Sequence, residues 1–235
     1  MSFIITREDI LSVSADAAVI CIENTMAVCE DPVSQRLGVS GGEALLARLK
    51  EKRFLSVGRA WPFDAGDLPF RYLFATGTPQ WRYGECNELV VLRCCYESLF
   101  ALAHRLACRS LALPFLSAAY YRFPVEDAVR IGLEEASKTD VKAIFLAQTQ
   151  EEYELSQKPY VKPQILAYLG YYRDHAVFRL DNDLFAFVDL RPERREIFIR
   201  PYVRACYYTQ ADPFLPPLPE EEVARLRRIY EEICP

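Results

Sequence analysis

The chain has 235 residues, 51% of them hydrophobic and 26% charged, with a net charge of −5. That length buries a core in one large domain, or in one domain plus an appendage, and the composition is globular rather than disordered. The acidic balance argues against a nucleic-acid backbone as the main partner, because Lys and Arg carry affinity for phosphate chains.

Strand and helix patterns alternate from the start. "SFIIT" is a short apolar run and "DAAVICI" reads as a buried strand. "GGEALLARLKEK" predicts a helix with Leu45, Leu46 and Leu49 on one side, and "RYLFATGT" a strand that ends near a glycine. In "NELVVLRCCYESLFALAHRLA", Leu89, Leu92, Tyr96, Leu99, Ala103 and Leu106 recur at steps of three and four, which makes one apolar helical stripe. "SLALPFL" is the next strand. A helix follows from Pro124, with Val125, Ala128, Val129, Gly132 and Ala136 on one face, and then the strand "KAIFLA". Proline suits a helix's first turn because that nitrogen needs no acceptor. Such alternation predicts an α/β fold, a mixed sheet with helices on both faces.

The pattern changes after about Tyr153. "HAVFRL", "LFAFVDL" and "EIFIRPY" are strand-like runs joined by short polar links, which predicts a small antiparallel meander. "DPFLPPLP" is an extended connector to a terminal helix, "PEEEVARLRRIYEEI", whose buried stripe is Val223, Leu226, Tyr230 and Ile233. The expected organisation is one domain over residues 1–157 and an α+β extension over residues 158–235 packed on it.

Eight cysteines invite a metal or disulfide reading, yet they form no C-x-x-C pair, and His104 and His175 are the only imidazoles. No metal site is expected. Cys94 or Cys95 would lie about 14 Å along one helix from His104, too far for a catalytic pair. No Walker loop, G-x-S-x-G or H-E-x-x-H occurs, so no cofactor is implied. "MSFIITREDI" lacks the basic start and apolar stretch of a signal peptide, and no apolar run of about 18 residues exists to span a membrane. A cytoplasmic protein is the expectation.

Several passages, in this order, resemble a macro domain, the ADP-ribose-binding module. "REDILSVSADAAVI" is similar to the family's opening strand, acidic turn and second strand, and "GGEALLARLK" to its first helix. "VGRAW" with "LPFRYLFATGTPQW" resembles its strand pair. "LRCCYESLFALAHRLACRSLALPFLSAAYYRFPVEDAVRIGLEEA" resembles the long helix, strand, second binding loop and next helix. "AIFLAQTQEEYEL" resembles the closing strand and its acidic cap. The likeness covers residues 1 to about 157. It implies a three-layer α/β/α fold and a cleft for ADP-ribose or an ADP-ribosylated protein.

The resemblance puts Asp9, with Ile10 beside it, at the adenine amine; by itself Asp9 also suits a turn after the first strand. Gln148 takes the place where many members stack an aromatic on adenine. The phosphate loop corresponds to "VCEDPVSQ", Val28 to Gln35, which lacks the family's glycines. Pro32 has no N–H to donate, and Glu30 and Asp31 bring negative charge. Two like charges about 5 Å apart repel by roughly 1 to 3 kcal/mol, so this loop reads as a poor phosphate cradle.

The second loop runs Ser117, Ala118, Ala119, Tyr120, Tyr121, Arg122, Phe123, Pro124; it keeps the family's frame and loses both glycines. Arg122 offers a forked cation in their stead, or else pairs with Glu126 on the next turn. At the distal ribose, Glu23 stands in the place of the family's asparagine, with Asn24 next to it. The acid of hydrolytic members falls at Val33, so Glu23, Asn24 and Asp31 are the catalytic candidates that remain. Three functions stay open: a divergent binding module using Asp9 and Arg122, a mono-ADP-ribosyl hydrolase, and a scaffold with a closed cleft acting through protein partners.

Overall fold

Runs such as Ala17–Ile22, in which all six residues are buried, fill the middle of a sheet covered on both faces. The computed structural model describes residues 3–23, 25–82, 87–118, 123–158, 164–172, 175–181, 184–191, 197–201 and 218–233. The chain divides into two compact units, the second beginning at about residue 160.

In the first unit the elements run β1 (Phe3–Thr6), a 3-10 turn (Ile10–Ser12), β2 (Ala17–Ile22), α1 (Pro32–Glu51), β3 (Ala60–Asp64) and β4 (Tyr72–Gly77). They continue with α2 (Glu88–Arg105), β5 (Ser110–Pro114), α3 (Val125–Ser137), β6 (Lys142–Leu146) and α4 (Gln150–Gln157). The sheet order is β1-β6-β5-β2-β4-β3. All pairings are parallel except β3 with β4, so the sheet is mixed, as the sequence predicts. Alternation sorts the strands' side chains between two faces. Ala18, Ile20, Ile22, Leu73 and Ala75 join Leu37, Leu45 and Leu49 of α1 in one core.

On α2 and α3, Tyr96 and Gly132 belong to a tight aromatic cluster. A Cβ at Gly132 would lie 2.8 Å from Tyr96 Oη and 3.2 Å from both the Phe115 and Phe145 rings, which stack at 4.6 Å. The Tyr96 hydroxyl accepts from Leu116 N at 2.9 Å and fixes the chain just past β5.

One element adds to expectation. The sequence predicts a helix from Gly41, and a helical segment does start at a break at Gly42, whose φ of 64° lies in the left-handed region; the reading passed over a preceding helical segment from Pro32, and the two together are α1. Pro32, Gly38 and Gly41 read as breakers in sequence. Here proline occupies the first turn after an Asp31 N-cap, and the glycines ride inside the helix. The segment Val28–Gln35, which corresponds to the family's phosphate loop, is therefore half loop and half helix.

The second unit is a four-stranded antiparallel sheet, β10-β9-β8-β7 in order: β7 (Ile165–Tyr172), β8 (His175–Leu180), β9 (Leu184–Asp189) and β10 (Ile197–Pro201), followed by α5 (Glu220–Ile233). The expected meander is present, and β7 adds a strand that the sequence reading passed over. Gly170 and two register shifts interrupt its alternation. On α5, Leu226, Ile229 and Tyr230 are buried and Val223 is half-buried; the Ile233 side chain lies outside the described residues.

Candidate functional site

The parallel strands β2, β4, β5 and β6 end at one rim, the usual place for a ligand crevice in an α/β sheet. A cavity of about 10 Å³, room for about one water, is lined there by Cys21, Cys29, Asp31, Thr78, Pro114, Phe115 and Ser117. Cys21 and Cys29 face each other across a short antiparallel pairing, with Cys29 N donating to Cys21 O at 3.0 Å. Burial pushes the Cys21 thiol well up, so it is a packing group and not a nucleophile.

After β2 the chain folds back on itself. Glu23 N donates to Ala27 O at 2.8 Å, and Met26 sits at φ 66°. The half-buried Glu23 carboxylate accepts from the Thr25 hydroxyl at 3.4 Å. Asn24 lies outside the described residues.

Asp31 then starts α1. It is buried, and its Oδ1 accepts from Ser34 N at 2.9 Å. Val33 N donates to Gln148 Oε1 at 3.0 Å, Gln35 N donates to Asp31 O at 3.0 Å, and Pro32 has no N–H. The first-turn amides that could meet an anion are thus taken by the protein's own side chains and main chain. Glu30 is exposed, and Val33, the in-register position for a hydrolytic acid, is buried.

Behind this turn lies an acid that sequence reasoning missed. Glu152 of α4 is fully buried, and its Oε2 accepts from Gln148 N at 2.8 Å. Burial, with the charge of Asp31 adding to it, pushes this carboxyl up to about 7. Burial likewise raises Asp31. Asp31 Oδ2, Gln148 Nε2 and Glu152 Oε1 are buried without a hydrogen-bond partner among the described residues. The spacing Thr149-x-x-Glu152 is a capping-box pattern, and Thr149 does cap α4 by accepting from Glu152 N at 3.1 Å. That signal in "TQEE" could have singled out Glu152.

At the other end of the rim, Asp9 caps the 3-10 turn. Its Oδ1 accepts from Leu11 N at 2.9 Å and its Oδ2 pairs with Arg36 Nε at 2.9 Å, yet the side chain stays 42% exposed. The Leu11 N–H, aided by Arg36, holds this carboxyl below its usual range. Ile10, expected beside a ligand, turns its side chain into the core at 2% exposure; only its main chain remains for such a role.

In the second loop, Ser117 is buried at φ 65°, and its hydroxyl donates to Pro79 O at 3.2 Å. Ala118 is buried too, and the buried Phe123 ring lies 5.0 Å from that of Trp81. Ala119, Tyr120, Tyr121 and Arg122 lie outside the described residues. Met26 and Ser117 hold left-handed backbone with side chains attached, a conformation that glycine adopts without strain. Neither residue stands where the family has a glycine, so these two turns are left-handed in their own right.

Comparison with known proteins bears on this rim. The macro domain family description matches residues 23–132. A macro domain-containing protein of Streptomyces coelicolor is 32% identical over 141 residues, 57% of this chain and 82% of that protein. The chain belongs to the macro domain family. Another relative of this macro domain, from Pantoea vagans, carries the name O-acetyl-ADP-ribose deacetylase 1; it is 30% identical over 134 residues, 55% of this chain and 78% of its own. Among solved structures, the Oceanobacillus iheyensis macrodomain with ADP superposes at a TM-score of 0.60 and 20% identity, covering 65% of this chain and 86% of that one. The Trypanosoma brucei macrodomain in complex with ADP-ribose superposes at 0.59 and 22% identity, covering 66% and 67%. At such identities these structures bear on the fold. No helix among the described residues is long and apolar enough to cross a membrane.

Proposed function

We propose that this macro domain binds ADP-ribose or a related nucleotide through a remodelled cleft. Asp9 meets the base, and the segment from Ser117 to Phe123, with Arg122 as its cation, holds the diphosphate. The relatives' names and the ADP and ADP-ribose complexes of similar folds support the ligand class. The observation that carries the remodelling is the α1 N-terminus. Its amides already hold Asp31 and Gln148, so a phosphate there would have to displace buried partners and meet a carboxylate. Anion capture is left to the second loop, where guanidinium can replace an amide nest. Hydrolysis is not part of this reading, because Asp31 is engaged as a helix cap.

Titration calorimetry with ADP-ribose tests the proposal. Wild type binds, and Asp9→Ala and Arg122→Ala each weaken binding by about tenfold or more, the scale of a charge-assisted contact. Equal affinity in both variants and wild type would remove Asp9 and Arg122 from the site.

A second reading, a closed cleft that serves as a scaffold, draws on the water-sized cavity at the rim. It expects no heat and no thermal shift with millimolar ADP-ribose; saturable binding by wild type overturns it.

A further inference from the structure

Between the end of α1 and β3 the chain carries Lys50, Lys52, Arg53 and Arg59, with Glu51 the single acid among residues 50–61, although the whole chain is net acidic. All five are exposed, and so are Phe54 at 61%, Val57 at 45% and Trp61 at 42%. The loop's two ends meet where Lys52 Nζ lies 3.3 Å from the centroid of the Trp61 ring. Arg59 N donates to Ser56 O at 3.2 Å to turn the loop, and Gly58 N donates to Gly77 O at 3.0 Å to pin it to the end of β4. Lys52 and Trp61 therefore share one surface, and Arg53, Phe54, Val57 and Arg59 are exposed on the short loop between them. Lys50 also suits the C-terminal end of a helix dipole, but that account does not extend to Arg53, Phe54, Arg59 or Trp61. One exposed apolar residue is ordinary; two exposed rings and an exposed valine within a twelve-residue stretch that carries four exposed cations point to a contact surface.

We propose that this loop docks single-stranded nucleic acid, its cations on phosphates and the rings of Phe54 and Trp61 against bases. Unpaired bases offer flat faces to exposed rings, and the backbone between them carries the opposite charge. An acidic peptide would match the cations and leave both rings uncovered. Outside residues 50–61 the chain is net negative, which disfavours a polyanion there on average.

The test is fluorescence anisotropy of the full chain with a short labelled oligothymidylate, over a salt series. Saturable binding is expected, with log K falling against log salt at a slope of about −2, as about three neutralised phosphates dictate. Phe54→Ala and Trp61→Ala each weaken binding by about tenfold. Arg53→Glu with Arg59→Glu removes it at moderate salt. An excess of ADP-ribose leaves it unchanged, which separates this surface from the cleft. The proposal is overturned by absence of saturation at low salt, by Phe54→Ala binding as wild type does while circular dichroism shows it folded, or by equal affinity for a duplex of the same length. Full displacement by polyglutamate, with Phe54→Ala unaffected, would assign the surface to an acidic protein instead.

Discussion

The two ends of α1 treat polar groups in opposite ways. At its start, Asp31, Val33 and Ser34 are buried, the Val33 and Ser34 amides are matched to the chain's own acceptors, and a second acid, Glu152, is buried behind them. At its end, Lys50, Lys52 and Arg53 stand in solvent beside Phe54 and Trp61. The end that the family resemblance marks for an anion is closed by internal partners, and the end that no motif marks is open. A binding surface follows from what the fold leaves unpaired, not from which segment bears the ancestral pattern.

The largest expected effect falls on the closed end. The Glu152 carboxyl is raised from its ordinary value to about 7 by burial and by Asp31, while the Gln148 N–H and Thr149 oppose the rise and Glu151 adds to it. Between about pH 4.5 and about 7 the folded state thus holds a proton that the unfolded state has released. Stability is fully present below that window and is lost as pH rises through it, by on the order of 3 kcal/mol. Glu152→Gln keeps the shape and removes the charge. Its denaturation midpoint should vary less across this window and exceed wild type at pH 8; identical pH profiles would show that the two acids do not strain this turn.

Next comes the cap itself. Asp31→Ala frees Ser34 N–H and should cost about 1 kcal/mol in urea denaturation, whereas Asp31→Asn keeps the cap without the charge and should match or exceed wild type at pH 8. Loss of stability in the Asn variant as large as in Ala would mean that the Asp31 charge is needed. At the open end, Phe54→Ala should shift stability by no more than about half a kcal/mol, as exposed positions do. A larger loss would mean that the loop is packed and not poised for a partner. Arg36→Ala, which breaks a half-exposed pair, should be the smallest effect in stability. It still returns the Asp9 carboxyl toward its ordinary range, a change that carbon-detected NMR titration of Asp9 can follow.

Much of the frame was legible because buried strands and amphipathic helices announce themselves by period. Ala17–Ile22 is apolar throughout and central in the sheet, and Leu92, Tyr96 and Leu99 recur at helical steps and are all fully buried. The start of α1 was illegible, since Pro32, Gly38 and Gly41 break helices on average, and their tolerance here goes with the Asp31 cap and with the close approach of Leu45 to Gly41, where a Cβ would clash with Leu45 Cδ2. β7 was illegible for a related reason, its bulges spoiling the alternation. At the site, Asp9 could be read from its turn and its family motif, but its pairing with Arg36 joins residues 27 positions apart.

Sequence alone determined the order of strands and helices, the change of pattern after about Tyr153 and the loss of phosphate-loop glycines, because each depends on a residue's own shape or on neighbours three or four places away. Tertiary structure alone decided that Gln148 and Asp31 occupy the first turn of α1, that Glu152 is sealed beneath them, and that Lys52 folds back over Trp61. Burial and pairing across long separations depend on which surfaces meet, and local propensity carries no record of that.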